Sequence, residues 1–168
     1  MKKHIKDPIA GAAGPERDLT RRFASITTNV AVFLDEIRHY RAKNLGISGP
    51  QFAILMAVMD LDEGEGVSVR HVAKAMHVDS SFITTQSKLL EKKALVRRRP
   101  DPTDARVVKL SLSDKAYKSI ASFAAEEQSL NDFIFEGLSN ESLEDLVQQL
   151  TALKLRLEKA CLKIAGGF

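Results

Sequence analysis

Two groups of residues near the middle of the chain have types and spacings suited to holding a polyanion. The first is Ser81, Thr84, Thr85, Lys88 and Lys92. At about 100° per residue these share one side of a helix, with Ile83, Gln86, Ser87, Leu90 and Ala94 opposite. Short hydroxyls and lysines on one face can read base edges in a major groove and reach phosphates. The second is RRRPDPTDAR, Arg97 to Arg106, where two prolines and two aspartates interrupt a run of arginines. If the arginines served only to make a positive surface, the acids would work against them. The prolines instead stiffen a loop, and Asp101 and Asp104 can accept hydrogen bonds from loop amides. Asp104 lies two residues from Arg106, a spacing that lets it hold the guanidinium in one orientation. An arginine on such a tip suits a narrow minor groove. The expected nucleic-acid contacts are therefore Ser81, Thr84, Thr85, Lys88, Lys92, Arg97, Arg98, Arg99, Asp104 and Arg106.

Charge supports this placement. The whole chain carries a net +3, but Val67 to Lys109 holds ten Lys or Arg against four acids, a net +6, and the remainder nets −3. A basic middle between neutral to acidic ends suggests a phosphate-facing surface. Catalytic constellations are missing from the sequence: there is no Gly-Lys-Ser/Thr phosphate loop, no G-x-S-x-G, and the histidines, at 4, 39, 71 and 77, show no metal-binding spacing. No enzyme activity, metal or cofactor is expected. The single cysteine, Cys161, allows no internal disulfide. No apolar run approaches a bilayer span and the start lacks a signal-peptide core, so a cytoplasmic protein without membrane contact is expected.

The elements that must position these residues follow from periodicity. Residues 1–18 have none and read as a flexible arm. Leu19, Phe23, Ile26, Val30, Phe33 and Ile37 form the stripe of a long amphipathic helix ending at Gly46. Ser48 and Gln51 stand at capping-box spacing before a helix to Leu61, with Pro50 in its first turn. Ser68 starts a short helix, His77 and Val78 make a turn, and Asp79 or Ser80 caps a helix through Lys93, which together make a helix-turn-helix. Leu95 to Arg99 and Arg106 to Leu112 read as two strands joined by Pro100 to Ala105, a β-hairpin wing. Lys115 to Glu136 reads as one further helix. A last long helix opens at Ser139 and ends at Gly166 and Gly167, with Leu143, Leu146, Leu150, Leu153, Leu157, Ala160 and Ile164 as its stripe. The fold class expected is mainly α with a small β-wing: a winged helix-turn-helix lobe over 48–112, and helical dimerisation regions over 19–47 and 113–168. Two apolar stripes at opposite ends of the chain need each other or a second copy.

The run VDSSFITTQSKLLEKKALVRRRPDPTDARVVKLSLSDKA resembles the recognition helix and wing of the MarR family of bacterial transcription regulators. Its DPxDxR wing tip is Asp101, Pro102, Asp104 and Arg106, running into Leu110 to Ser113. The helix order is similar from Leu19 to Ile164. The resemblance implies a winged-helix homodimer joined through its terminal helices, which represses transcription by binding a pseudo-palindromic double-stranded operator and lets go when a small ligand or oxidant binds. Ala94 departs from the pattern where many members have Gly, and Gln86 and Ser87 are polar where members often have apolar residues. The effector crevice implied by the family lies near Glu36 to Phe52. There Arg38, His39 and Arg41 can neutralise a carboxylate or phosphate, and Tyr40, Phe52 and Phe123 can face an aromatic ring, as in an aromatic acid or its CoA thioester. The first helix has no cysteine, which argues against the peroxide sensing some members show. Two other readings remain at this point: a winged-helix nucleic-acid-binding protein without ligand control, and a redox-responsive regulator using Cys161.

Overall fold

The computed structural model describes residues 15–167, and the chain divides between Ile120 and Ala121 into two compact units. Of the expected N-terminal arm, residues 1–14 lie outside the described residues, while 15–18 already belong to the first helix.

In the first unit α1 (Pro15–Asn44) is followed by α2 (Gly49–Leu61), β1 (Val67–Ser68), α3 (Val69–Ala75), α4 (Ser80–Lys92), β2 (Val96–Pro100), β3 (Val108–Leu112) and α5 (Asp114–Ala121). Helix α1 stops because Gly46 turns left-handed at φ 64°, which lets the Ile47 amide return to the Ala42 carbonyl at 3.0 Å. The expected capping box opens α2: the Ser48 hydroxyl accepts from the Gln51 amide at 3.4 Å, and the Gln51 side chain accepts from the Ser48 amide at 3.1 Å. Helix α2 buries Phe52, Ile54, Leu55 and Val58 and runs through the centre of the core. Val72 of α3, Ile83 and Leu90 of α4, and Leu110 of β3 close around it with no exposed surface. Truncating any of these larger aliphatic side chains to Ala costs about 2–5 kcal/mol.

The sheet is antiparallel with strand order β1-β3-β2, in the register Val96↔Leu112 to Pro100↔Val108 between β2 and β3. Three details differ from the sequence reading. The first wing strand runs from Val96 to Pro100 instead of Leu95 to Arg99, so Pro100 pairs with Val108 and does not open the loop. A third strand, β1, pairs Val67 with Leu110; two residues are too few to show alternation. The second wing strand begins at Val108 instead of Arg106, because the Val107 amide bonds back to the Asp104 carbonyl at 2.9 Å and keeps Arg106 in the loop.

The second unit consists of α6 (Ala124–Ile134) and α7 (Asn140–Gly166). The single helix expected over Lys115 to Glu136 is therefore two, α5 and α6, broken at Ser122 and Phe123. No glycine or proline marks that break, which falls just after the boundary between the units. Ser139 caps α7 by accepting from the Ser142 amide at 3.1 Å. The apolar stripes of both long helices are exposed in the single chain: Leu19, Phe23, Ile26, Val30 and Phe33 on α1, and Leu146, Leu150, Leu157 and Ile164 on α7.

Candidate nucleic-acid interface

Helices α3 and α4 form the helix-turn-helix. His77 occupies the left-handed region at φ 53°, and the Val78 amide reaches back to the Ala73 carbonyl at 3.0 Å, which turns the chain sharply between them. Asp79 caps α4 by accepting from the Ser81 amide at 2.8 Å. The Ser81 amide and hydroxyl together hold the Asp79 carboxyl below its ordinary range.

Along α4 four of the five residues expected on the outer face are exposed. Ser81, Thr85, Lys88 and Lys92 are exposed, and Thr84 is half-buried with its hydroxyl donated to the Ser80 carbonyl at 2.9 Å. Leu89 is also exposed on this helix, an apolar side chain that sequence reasoning did not single out. The inner face packs Ile83 and Leu90 into the core.

The wing loop is folded by its own aspartates. Asp101 Oδ1 accepts from the Thr103 hydroxyl at 2.6 Å, the Thr103 amide at 2.8 Å and the Asp104 amide at 3.2 Å, while Oδ2 meets Lys109 Nζ at 3.1 Å. These bonds, the two from Thr103 foremost and Lys109 next, push the Asp101 carboxyl far below the usual carboxylate range. Asp104 Oδ1 accepts from the Arg106 backbone amide at 3.0 Å. The expectation that Asp104 orients the Arg106 guanidinium is thus replaced by a different arrangement: the carboxylate fixes the backbone, and the exposed side chain projects from a rigid tip.

The three consecutive arginines are not equivalent. Alternation along β2 puts Val96 and Arg98 on the inner face, and Arg97 and Arg99 on the exposed one. Arg97 pairs with Asp114 at the start of α5 at 2.9 Å. The Arg98 side chain is only 11% exposed; its guanidinium donates to the Ser87 hydroxyl and lies 3.7 Å from Glu91. Gln86 is also engaged, accepting from Gln51 Nε2 at 3.1 Å.

The residues singled out around the α1–α2 junction are dispersed. Phe52 is 6% exposed and belongs to the core, whereas Tyr40 is exposed. The Arg38 guanidinium pairs with Asp35. His39 Nδ1 donates to the Asp35 carbonyl at 2.8 Å, and its ring lies over Gly49. Arg41 is half-buried. Phe123 sits in the second unit as the N-cap of α6. A cleft of about 290 Å³ opens nearby, between the α1–α2 turn at Asn44, Leu45 and Gly46 and the side chains of Leu95, Lys115 and Ser119. Its lysines already bond carbonyls at helix C-termini: Lys93 Nζ donates to the Gly46 carbonyl at 2.7 Å and Lys115 Nζ to the Lys93 carbonyl at 2.9 Å. No group of His, Cys, Asp or Glu among the described residues is arranged to hold a metal ion, and no described helix is long and apolar enough to cross a membrane.

A family model described as the MarR family matches residues 45–107, from the end of α1 through the wing loop. The organic hydroperoxide resistance transcriptional regulator of Bacillus subtilis (strain 168) is 31% identical over 114 residues, covering 68% of this chain and 72% of that protein. This chain belongs to the MarR family. A second relative, the HTH-type transcriptional regulator YdgJ of Bacillus subtilis (strain 168), is 32% identical over 100 residues. That match covers 60% of this chain and 57% of YdgJ, so the chain spans little more than half of that relative. Among solved structures, CouR from Rhodococcus jostii RHA1, bound to p-coumaroyl-CoA, superposes with a TM-score of 0.68 at 21% identity, covering 80% of this chain and 93% of that one. At that identity the likeness to CouR is one of fold. As a MarR-family chain, the protein has its helix-turn-helix and wing loop inside the matched segment, whereas α1, β3, α5, α6 and α7 lie outside it.

Proposed function

We propose that the protein is a homodimeric, sequence-specific DNA-binding repressor whose hold on its operator is released by a small ligand. The observation that carries the DNA reading is the pairing of two surfaces in one compact unit. One is the hydroxyl-and-lysine face of α4; the other is a wing loop whose aspartates are spent on its own backbone, leaving the Arg106 side chain outward. The α4 face suits a major groove and Arg106 the adjacent minor groove, while Arg97, Arg99 and the lysines supply phosphate neutralisation.

The exposed apolar stripes of α1 and α7 support dimerisation, since a stable monomer would leave them in water. Two copies reading successive major grooves on one face of a duplex place their recognition helices about 34–36 Å apart. In vitro selection by the full-length chain from a library of randomised duplexes tests both points. Enrichment of an inverted repeat with half-sites about one helical turn apart is expected. Failure to enrich any duplex, or equal affinity for RNA of the same sequence, overturns the reading. A stable monomer in sedimentation at micromolar concentration removes the dimer.

The effector class proposed is an aromatic acid or its CoA thioester. It rests on the cations and the ring that Arg38, His39, Tyr40 and Arg41 supply at consecutive positions of α1, fanned around the helix, and on the fold likeness to a CoA-thioester-bound regulator. A thermal-shift panel of such compounds, followed by operator competition, tests it; a compound that binds without weakening DNA binding is no inducer.

A second reading, redox control, is favoured by the name of the hydroperoxide-resistance relative and by the exposure of Cys161 on α7. Cumene hydroperoxide should then abolish selected-duplex binding in the wild type and leave Cys161→Ser unaffected.

A further inference from the structure

We propose that Arg98 is a positioning residue for DNA recognition: it clamps the recognition helix to the wing and touches no phosphate. The inference rests on the DNA reading above and assigns one of its basic residues a different task.

The starting point is the inner face of α4, which is interrupted by two adjacent polar residues, Gln86 and Ser87. Ser87 has no exposed surface. A serine there costs packing relative to an aliphatic residue unless its hydroxyl is used. It is used twice, donating to the Thr84 carbonyl at 3.2 Å and accepting from the Arg98 guanidinium. Arg98 reaches it from β2, stands opposite Leu110 in the sheet register, and keeps its charge balanced by Glu91, a second residue of the same helix at 3.7 Å. From the other side, Gln51 of α2 holds Gln86 at 3.1 Å while its own Oε1 receives the Ser48 amide. Neighbouring residues of α4 are thus held by polar partners from two different elements.

Apolar contacts alone leave a helix free to slip or rotate by small amounts at little cost, because they are non-directional. A buried hydrogen-bonded pair is directional, and its best-attested use is to fix one register among several. For α4 the register in question is the rotation that aims Ser81, Thr85 and Lys88 outward. A guanidinium whose side chain is 11% exposed and turned toward Ser87 and Glu91 is occupied within the lobe, so its removal should disturb aim and leave the count of neutralised phosphates unchanged.

The test compares Arg98→Met and Ser87→Ala with the wild type, using the duplex that the wild type enriches and a random-sequence duplex over a series of salt concentrations. Ser87→Ala removes the acceptor without changing charge or volume appreciably, so it keeps the question open even if Arg98→Met folds poorly. Each variant is expected to lose about tenfold or more in preference for the enriched duplex, the size of one well-made base contact. Affinity for the random duplex and the slope of log K against log salt should stay at wild-type values, and the double variant should lose no more than either single one. A slope reduced by about one unit in Arg98→Met with the preference intact would mark a phosphate contact and overturn the clamp. Unchanged preference in both variants would overturn it too. A wild type that prefers no duplex overturns the DNA reading itself, and that outcome is read before any variant is made.

Discussion

Asp101 and Lys109 face each other across the base of the wing at 3.1 Å, and the other oxygen of the same carboxylate gathers the Thr103 and Asp104 amides. One carboxylate therefore closes the loop and neutralises a lysine that would otherwise enlarge the positive field.

Asp101 should keep the wing folded well into acid. Its carboxyl is depressed in the folded protein, so its contribution is fully present above the ordinary value near 3.8 and is lost as pH falls through the lower folded value. The Thr103 amide resonance, followed by NMR, should hold its native position as pH passes 3.8. A titration of that resonance centred at 3.8 would contradict the assignment. Asp101→Asn should disorder the loop at neutral pH.

Replacing Ala94 by glycine should stabilise the protein. Ala94 sits at φ 56°, a left-handed conformation that disfavours any side chain, and its amide returns to the Glu91 carbonyl at 2.8 Å. Relief of that strain is worth about 1 kcal/mol, partly offset by the greater freedom of glycine when unfolded. Chemical denaturation should show a raised midpoint with an unchanged slope; a lowered midpoint would refute the strain.

Gly49 and His39 should couple in a double-mutant cycle. A Cβ built on Gly49 would stand 2.7 Å from the His39 ring, closer than van der Waals contact allows. Gly49→Ala should be less favourable in the wild type than in a His39→Ala background, where the added methyl meets no ring. Equal costs in both backgrounds would mean that the ring moves aside freely.

Lys92 and Arg106 should fail differently. Lys92→Ala should weaken all duplexes alike and lower the salt slope by about one unit, as loss of a phosphate contact does. Arg106→Ala should weaken the enriched duplex more than random sequence, with the greatest loss at A·T-rich flanks where groove width is sensed. Identical behaviour of the two variants would remove the distinction between wing and helix.

Much of this architecture was legible because it is written in local chemistry. The caps at Ser48, Ser68, Asp79 and Ser139 are side chains that bond amides two or three residues on, so spacing alone reveals them. The wing followed from the alternation of Val108, Leu110 and Leu112 and from loop-forming aspartates. What stayed hidden depends on residues far apart in the chain. The Gln51–Gln86 bond spans 35 positions and the Arg98–Ser87 bond 11, and nothing in the order of residues distinguishes the inward arginine from its two outward neighbours until strand phase is known. The break between α5 and α6 falls among alanines with no helix breaker. At the α1–α2 junction, side chains sharing a stretch of sequence proved to face the core, a glycine and solvent respectively.

Ser113 closes the hairpin where it leaves the sheet: its amide donates to the Leu95 carbonyl at 3.1 Å, its hydroxyl donates to the Ala94 carbonyl at 2.6 Å, and that hydroxyl accepts from the Ala116 amide at 3.1 Å. The strand that leaves the wing is therefore bolted to the point where the wing was entered. Kinematically, α4 and both wing strands form a closed linkage with no free joint at its base. Such a linkage favours movement of α4 and the wing base as one body over movement of either alone. A signal that shifts the lobe, whether it arrives at the Leu45–Gly46–Ile47 corner or along α5, should then carry α4 and the base of the wing together.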